Sequence, residues 1–467
     1  MSGFPFLYDP MKLVYYALIT ILLWSYWRAL KRARDKRTPF TPIMGWLVGL
    51  GYFVVVPLTI LVLHDGYQIP DFYEANARYA SIDLSDVRYL VPMLVIWLSL
   101  LFAFQSVLLL RPRKESSWKA FDLHVQDGKL RRAIFLTLGL SILDCVFTVW
   151  RSGGLESFLI SHWYLRQKES FTRFGDIFVL YAQMSLANQI VFTSAAALFT
   201  ARQLQLRRKS EWRFFMLIGF GLALQMAMSG NRIFIALYGL SFLTACWIYQ
   251  RKRLIAAILL LLPLVLLFFS AWASFRHDLS SIAENLPGYV ERDIESRAMT
   301  TLMDTTEGSS VMQLMHMIND FGDKFNYFYG STYSKAVTFL VPRALYPNKP
   351  ENYPVQIAKL YEPGEVTSLG TTQLGELYAN FGVFAVLLLP FITVLILLLS
   401  AKLARKSESN ALLLAVLFLL LISLARTSFE DNFITFLFSM LLVWGLRLQS
   451  GFFFGAQGQR SSVPLSS

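Results

Sequence analysis

The chain has 467 residues, of which 55% are AVILMFWYC and only 16% are charged, against roughly 45–50% apolar and about 25% charged in ordinary soluble proteins. With 15% aromatic residues and a mean hydropathy of +0.47, the composition excludes soluble, secreted, disordered and fibrous classes and fits a polytopic membrane protein. The net charge of +12 suggests nucleic-acid binding only until the positions of the cations are examined.

Apolar runs near the length that crosses a hydrocarbon core occur at 12–30, 41–63, 89–110, 133–150, 177–200, 214–230, 233–250, 254–274, 374–400, 410–425 and 433–447. They predict an all-α fold, a transmembrane bundle of about eleven spans. The first run follows Asp9 and Lys12 and precedes KRARDKR, a stop-transfer flank, so it reads as an anchor and not a cleaved signal. Between the sixth and seventh runs, Ser229, Gly230, Asn231 and Arg232 read as a tight turn, because an arginine is costly at mid-bilayer. Cys145 and Cys246 both lie in apolar runs, so neither a disulfide framework nor a cysteine zinc site is implied.

Loop charges alternate. The loops at 28–37, 111–132, 202–213, 251–253 and 402–408 and the tail from Arg447 each carry +2 to +5, whereas 64–88, 151–176, 275–373 and 426–431 each carry −4 to +1. Lysine and arginine hold loops in the cytoplasm, which predicts an outside N-terminus, an inside C-terminus and no role for nucleic acid. Three parts follow: a membrane bundle over 1–274, a large outer loop over 275–373, and membrane helices with a cytoplasmic tail over 374–467. The outer loop is far longer than the ~15 residues typical of structureless connections. Its Val311, Met312, Leu314, Met315 and Ile318 recur at helical spacing, FNYFYG follows at 325–330, and AVTFLV at 336–341 suits a dip into the interface. A cap of helices on the outer mouth is expected. No internal repeat is evident, which disfavours inverted-repeat transporters.

The polar groups that a hydrophobic bundle retains mark its chemistry. Arg232 opens an apolar helix at the outer face, beside free N–H groups that attract anions. Arg276 and His277 leave the eighth run into the outer loop, and guanidinium groups bind phosphate bidentately. Arg292 and Arg297 alternate with Glu291, Asp293 and Glu295, the pattern of a solvated helix with internal ion pairs. VPRALYPNKPENYP, 341–354, places Arg343 and Lys349 among prolines and tyrosines in a rigid segment. In SLGTTQLGELYANFG, 368–382, helical spacing puts Gln373, Glu376 and Asn380 on one face at the membrane entrance. His316 and His162 have the near-neutral pKa of a general base. Asp144, Gln225 and the turn with Arg426, Glu430 and Asp431 add polarity to the outer half. Phosphate-loop, HExxH, GxSxG, dinucleotide and outer-loop DxD signatures are absent, which favours a reaction without cofactor or metal on a membrane-borne substrate.

The SGNR turn before an apolar helix, the long penultimate outer loop, P-R-x-L-x-P-x-K-P at 342–350 and GELYANFG at a late span together resemble the bacterial O-antigen polymerases, the Wzy-like oligosaccharide repeat-unit polymerases. The likeness covers most of the chain by architecture and is most specific over 330–382. It implies a GT-C-like glycosyltransferase of the bacterial inner membrane, multi-pass, with a periplasmic active face. Its substrate would be undecaprenyl-pyrophosphate-linked repeat units, polymerised by transfer of the growing glycan to the non-reducing end of a new unit. Membrane lipids, a flippase and a chain-length-regulating co-polymerase are the partners it implies. By the same likeness Arg232, Arg276 and Arg343, with Lys349, would bind the donor pyrophosphate, and Glu376 or His316 would be the catalytic base. An O-antigen ligase and a transporter of the lipid-linked glycan are the alternatives.

Overall fold

The computed structural model describes residues 10–34, 40–64, 66–67, 82–110, 127–151, 153–154, 175–206, 211–229, 233–250, 308–339, 341, 345–346, 349–361, 372–404 and 411–450. Of these, 87% are helical, in keeping with the all-α expectation. Ten of the eleven apolar runs coincide with helices; the run at 254–274 lies outside the described residues. Among the described residues seven helices are long and apolar enough to cross a membrane, and three apolar ones are shorter: Trp212–Met228, Ile233–Tyr249 and Ala411–Leu424.

In chain order the bundle comprises α1 (Pro10–Ala33), α2 (Pro42–Leu50) continued through a π-turn into α3 (Val56–Leu63), α4 (Leu90–Leu109), α5 (Asp127–Arg151), α6 (Gly175–Leu206), α7 (Trp212–Ser229) and α8 (Ile233–Tyr249). A two-residue antiparallel ribbon, β1 (Gly66–Tyr67) with β2 (Ile82–Asp83), lies between α3 and α4. Three short helices follow, α9 (Gly308–Asp320), α10 (Ser331–Thr338) and α11 (Tyr353–Tyr361), then α12 (Gln373–Phe381), α13 (Ala385–Ala404), α14 (Ala411–Leu424) and α15 (Phe429–Ser450).

Local chemistry sets the ends. Thr41 caps α2, its Oγ1 accepting from the Met44 amide at 3.3 Å, and Pro42 occupies the first turn where no N–H is needed. Thr372 caps α12 in the same way, accepting from the Gly375 amide at 3.1 Å. A left-handed Gly382 (φ 58°) breaks α12 from α13, and a side chain there would press on the Tyr327 ring, 3.0 Å from Cζ.

The helices after 374 do not form a separate bundle. α13 packs on α4 and α2, while α14 packs on α2 and α6. α14 is apolar on every side and almost wholly buried, as expected of a helix surrounded by other helices. Hydrogen bonds reinforce the join: Trp46 Nε1 donates to Thr393 Oγ1 at 2.9 Å, and the Ile43 amide donates to Ser400 Oγ at 2.8 Å. Gly45 and Gly49, four residues apart, let α2 approach the α14 backbone, and a Cβ on Gly49 would stand 2.8 Å from Ile422 Cα. Small residues at this spacing allow the dispersion contacts that hold helices together in lipid. Gly45→Ala, whose Cβ would meet the Phe418 backbone, is expected to cost about 1–3 kcal/mol by overpacking, measurable as a lower melting temperature in detergent.

The segment before α12 is folded where described. Val311, Met312, Leu314, Met315 and Ile318 of α9 are buried as their spacing predicts, and α9 packs on α4 and α12. Tyr361 donates to Asp320 Oδ2 at 2.9 Å; burial, then the Asp320 carboxylate, raise its hydroxyl pKa above the ordinary tyrosine value. The AVTFLV stretch contributes the end of α10, an eight-residue helix too short to cross a bilayer.

Candidate functional site

The N-terminus of α15 is where the polar side chains converge. Its first turn holds Glu430 and Asp431, and Ser428 just before it donates to Asp431 Oδ2 at 2.9 Å. Acidic groups suit this end, where unpaired N–H groups carry partial positive charge.

Three pieces of the preceding segment reach this turn. From α10, Lys335 pairs with Glu430 at 3.1 Å, with side chains 9% and 0% exposed. From the stretch before α11, Asn352 Nδ2 donates to Asp431 Oδ1 at 3.3 Å. From α12, Glu376 Oε2 accepts from the Phe429 amide at 2.7 Å, while its Oε1 accepts from Thr332 Oγ1 at 3.0 Å. Asn380, one turn on, donates to Thr332 Oγ1 at 2.9 Å and accepts from the Gly330 amide at 2.9 Å. The shared face of Glu376 and Asn380 read from the sequence is thus a staple joining α10, α12 and α15. The Tyr333 ring stacks on Phe381 and meets Phe429, closing the staple on its apolar side.

Beneath it lies a cavity of about 210 Å3 among α6, α8, α14 and α15. Arg426, Thr427, Asp431, Asn432, Thr435 and Gln183 give it a polar wall, and Ile190, Phe234, Leu237 and Leu420 an apolar one. Thr435 Oγ1 donates to Gln183 Oε1 at 2.8 Å, and Asn432 Nδ2 donates to the Ser428 carbonyl at 2.9 Å, so the polar wall is held by its own bonds. A guanidinium and a carboxylate on one small cavity can hold an anionic group and accept a proton from a neighbouring hydroxyl.

The residues expected from the sequence distribute unevenly around this cavity. Glu376 is fully buried with both carboxylate oxygens engaged, a geometry that positions α15. His316 lies on α9 with its ring edge-on to Tyr89 at 5.9 Å. Lys349 Nζ donates to the carbonyls of Phe339 at 2.9 Å and Val341 at 3.0 Å, fixing the chain on the near side of Arg343. Arg232, Arg276 and Arg343, like His162, His277, Arg292 and Arg297, lie outside the described residues, but Ile233, the next residue after Arg232, lines the cavity. Asp144 accepts hydrogen bonds from Tyr181 and Ser185 of α6, and Gln225 is buried in α7, its amide atoms without a hydrogen-bond partner among the described residues. Among the described residues no three His, Cys, Asp or Glu side chains are arranged to hold a metal ion.

Lys335, Thr332, Asn352 and Gln183 were not marked by the sequence. The available signal was Lys335 itself, a lone cation before an apolar stretch and therefore a charge requiring a partner. Glu376→Ala, which strips the Phe429 amide and the Thr332 hydroxyl of their acceptor, is expected to cost about 1–3 kcal/mol, and Glu376→Gln, which keeps one acceptor oxygen, less. Thermal melts of the two purified variants check the order. Comparison with protein-family models, with curated proteins and with solved structures returns no match.

Proposed function

We propose that this chain is a metal-independent membrane glycosyltransferase that polymerises undecaprenyl-pyrophosphate-linked oligosaccharide repeat units into a surface polysaccharide at the outer face of a bacterial inner membrane. The observation that carries the reading is the cavity at the N-terminus of α15, where Arg426 and Asp431 share a wall with hydroxyl and amide side chains among apolar helices. A lipid-linked glycan diphosphate needs each of these: a cation for the diphosphate, hydrogen-bonding groups for sugar, and apolar surroundings for the carrier.

In this reading an acceptor hydroxyl attacks the anomeric carbon of the donor glycan. The bond from that carbon to the pyrophosphate oxygen breaks, and its electron pair leaves with undecaprenyl pyrophosphate. Arg426, with Arg232, Arg276 and Arg343, stabilises the negative charge that develops on the diphosphate, the larger requirement of the step. Asp431 accepts the hydroxyl proton late in attack. Asp431 takes the role expected of Glu376 or His316 because, unlike them, it lines the cavity. Lys349 holds the carbonyls of Phe339 and Val341, and the staple at Glu376 joins α10 and α12 to α15.

The test is a reaction of the purified protein with a defined undecaprenyl-pyrophosphate repeat unit, without nucleotide or metal, resolved on a gel. A ladder with release of undecaprenyl pyrophosphate is the expected result. Arg232→Ala and Arg343→Ala are expected to abolish the ladder at unchanged protein level, and Arg292→Ala to leave most of it. Transfer in a single step to a lipid A-core acceptor, with no ladder, would identify a ligase instead.

A further inference from the structure

At the opposite chain end of α1 the apolar surface gives way to Trp24, Trp27, Arg28, Lys31 and Arg32. The three cations occupy positions i, i+3 and i+4, one face of the helix. α1 and α4 run parallel: Trp97 Nε1 donates to the Leu18 carbonyl at 2.8 Å and Gln105 Nε2 to Ser25 Oγ at 3.5 Å, the pairs advancing together along both helices. The C-terminal end of α4 therefore lies beside the cations. Arg28, Lys31 and Arg32 together with Leu108 and Leu109 line an open recess of about 740 Å3.

Like charges three and four residues apart repel, and an isolated helix would be destabilised by them. Among the described residues none of the three forms an ion pair with a carboxylate. Two of them are nevertheless ordered: the Arg28 guanidinium lies over the Trp24 ring at 4.5 Å and the Lys31 ammonium over the Trp27 ring at 5.0 Å. Arg34, in contrast, is engaged elsewhere, donating to the Ile248 carbonyl at 3.2 Å. Cation–π contacts restrict long side chains before any ligand arrives and lower the entropy lost on binding. Leu109 of the recess and the two tryptophans under its cations are exposed, and tryptophan at the end of an apolar helix marks the headgroup level of a bilayer.

We propose that this recess binds the phosphodiester headgroup of an anionic phospholipid, with Arg28, Lys31 and Arg32 on the phosphate and Leu108, Leu109 and the tryptophans against the upper acyl chains. A lone snorkelling lysine meets whatever headgroup is near; three cations of one helical face beside the leucines of a parallel helix form a site. Basic recesses between membrane helices select anionic lipid. The site is independent of the proposed glycosyl transfer.

The experiment is native mass spectrometry of the full chain in detergent, titrated with dioleoyl phosphatidylglycerol or with dioleoyl phosphatidylcholine, whose tails are the same. The wild type is expected to bind phosphatidylglycerol roughly tenfold tighter or more. R28Q/K31Q/R32Q is expected to bring that preference to within about twofold, and R28K/K31R/R32K to keep it. Glutamine, lysine and arginine have nearly equal helix propensity, so α1 survives both changes. Equal affinity of the wild type for the two lipids, or an undiminished preference in the glutamine variant, would overturn the proposal. Displacement of phosphatidylglycerol by about 10 mM inorganic phosphate, beyond the loss that sodium chloride of equal ionic strength causes, would overturn it in favour of a free-phosphate site.

Discussion

Lys335→Met is expected to destabilise the protein by about 3–5 kcal/mol, because it leaves the Glu430 carboxylate buried without its counter-charge. The pair has little access to water, with side-chain exposures of 9% and 0%, so solvent cannot replace the missing ammonium. The paired change Lys335→Met/Glu430→Leu removes both charges and is expected to recover most of the loss, since a well-packed apolar pair avoids the desolvation that the ion pair requires. The measurement is the apparent melting temperature and the half-life at a fixed temperature in detergent, because membrane proteins commonly unfold irreversibly. If the single and double variants melt alike, the pair does not hold α10 to α15. The consequence reaches the site, since Glu430 adjoins Asp431, which lines the cavity.

Arg426→Ala is expected to lower turnover of the lipid-linked substrate by about 10²–10³-fold, the usual effect of removing one group that stabilises developing charge. Asp431→Asn is expected to lower it by about 10²–10⁴-fold, the range for loss of a general base. The asparagine keeps an acceptor for Ser428, whose hydroxyl bonds Asp431 at 2.9 Å, and gives up only the longer bond from Asn352 at 3.3 Å, so its melting temperature should fall modestly. Rates measured as undecaprenyl pyrophosphate released per enzyme, beside melts of the same preparations, separate chemistry from folding. An Asp431→Asn enzyme with wild-type turnover would return the role of base to Glu376 or His316, and Glu376→Gln would then be the decisive variant.

The placement of these residues marks the limit of reading from sequence. The face shared by Glu376 and Asn380 was legible, because three- and four-residue spacing puts side chains on one side of a helix wherever that helix sits. The partner of that face was not. Glu376 bonds the Phe429 amide, 53 positions along the chain, and Asn352 bonds Asp431, 79 positions away; no local pattern encodes such distances. Lys349 looked like a ligand for phosphate because it is a cation among prolines, yet its ammonium is occupied by the carbonyls of Phe339 and Val341. Burial of a charge, and the partner that it requires, are visible only once neighbours are placed.

Sequence alone determined that the chain is mostly helical with several helices apolar enough to cross a membrane, where most apolar helices begin and end, and that α9 buries Val311, Met312, Leu314, Met315 and Ile318. Those features depend on hydropathy and on the 3.6-residue period, which are local properties of the chain. Tertiary structure decided that α14 lies against α2 and α6, that Lys335 finds Glu430, and that Arg426 and Asp431 open on one cavity. The reason is that apolar side chains in lipid are nearly interchangeable, so helix order rests on close approach at Gly45 and Gly49 and on a few polar bonds. Those contacts join residues far apart in the chain, and only the folded bundle brings them together.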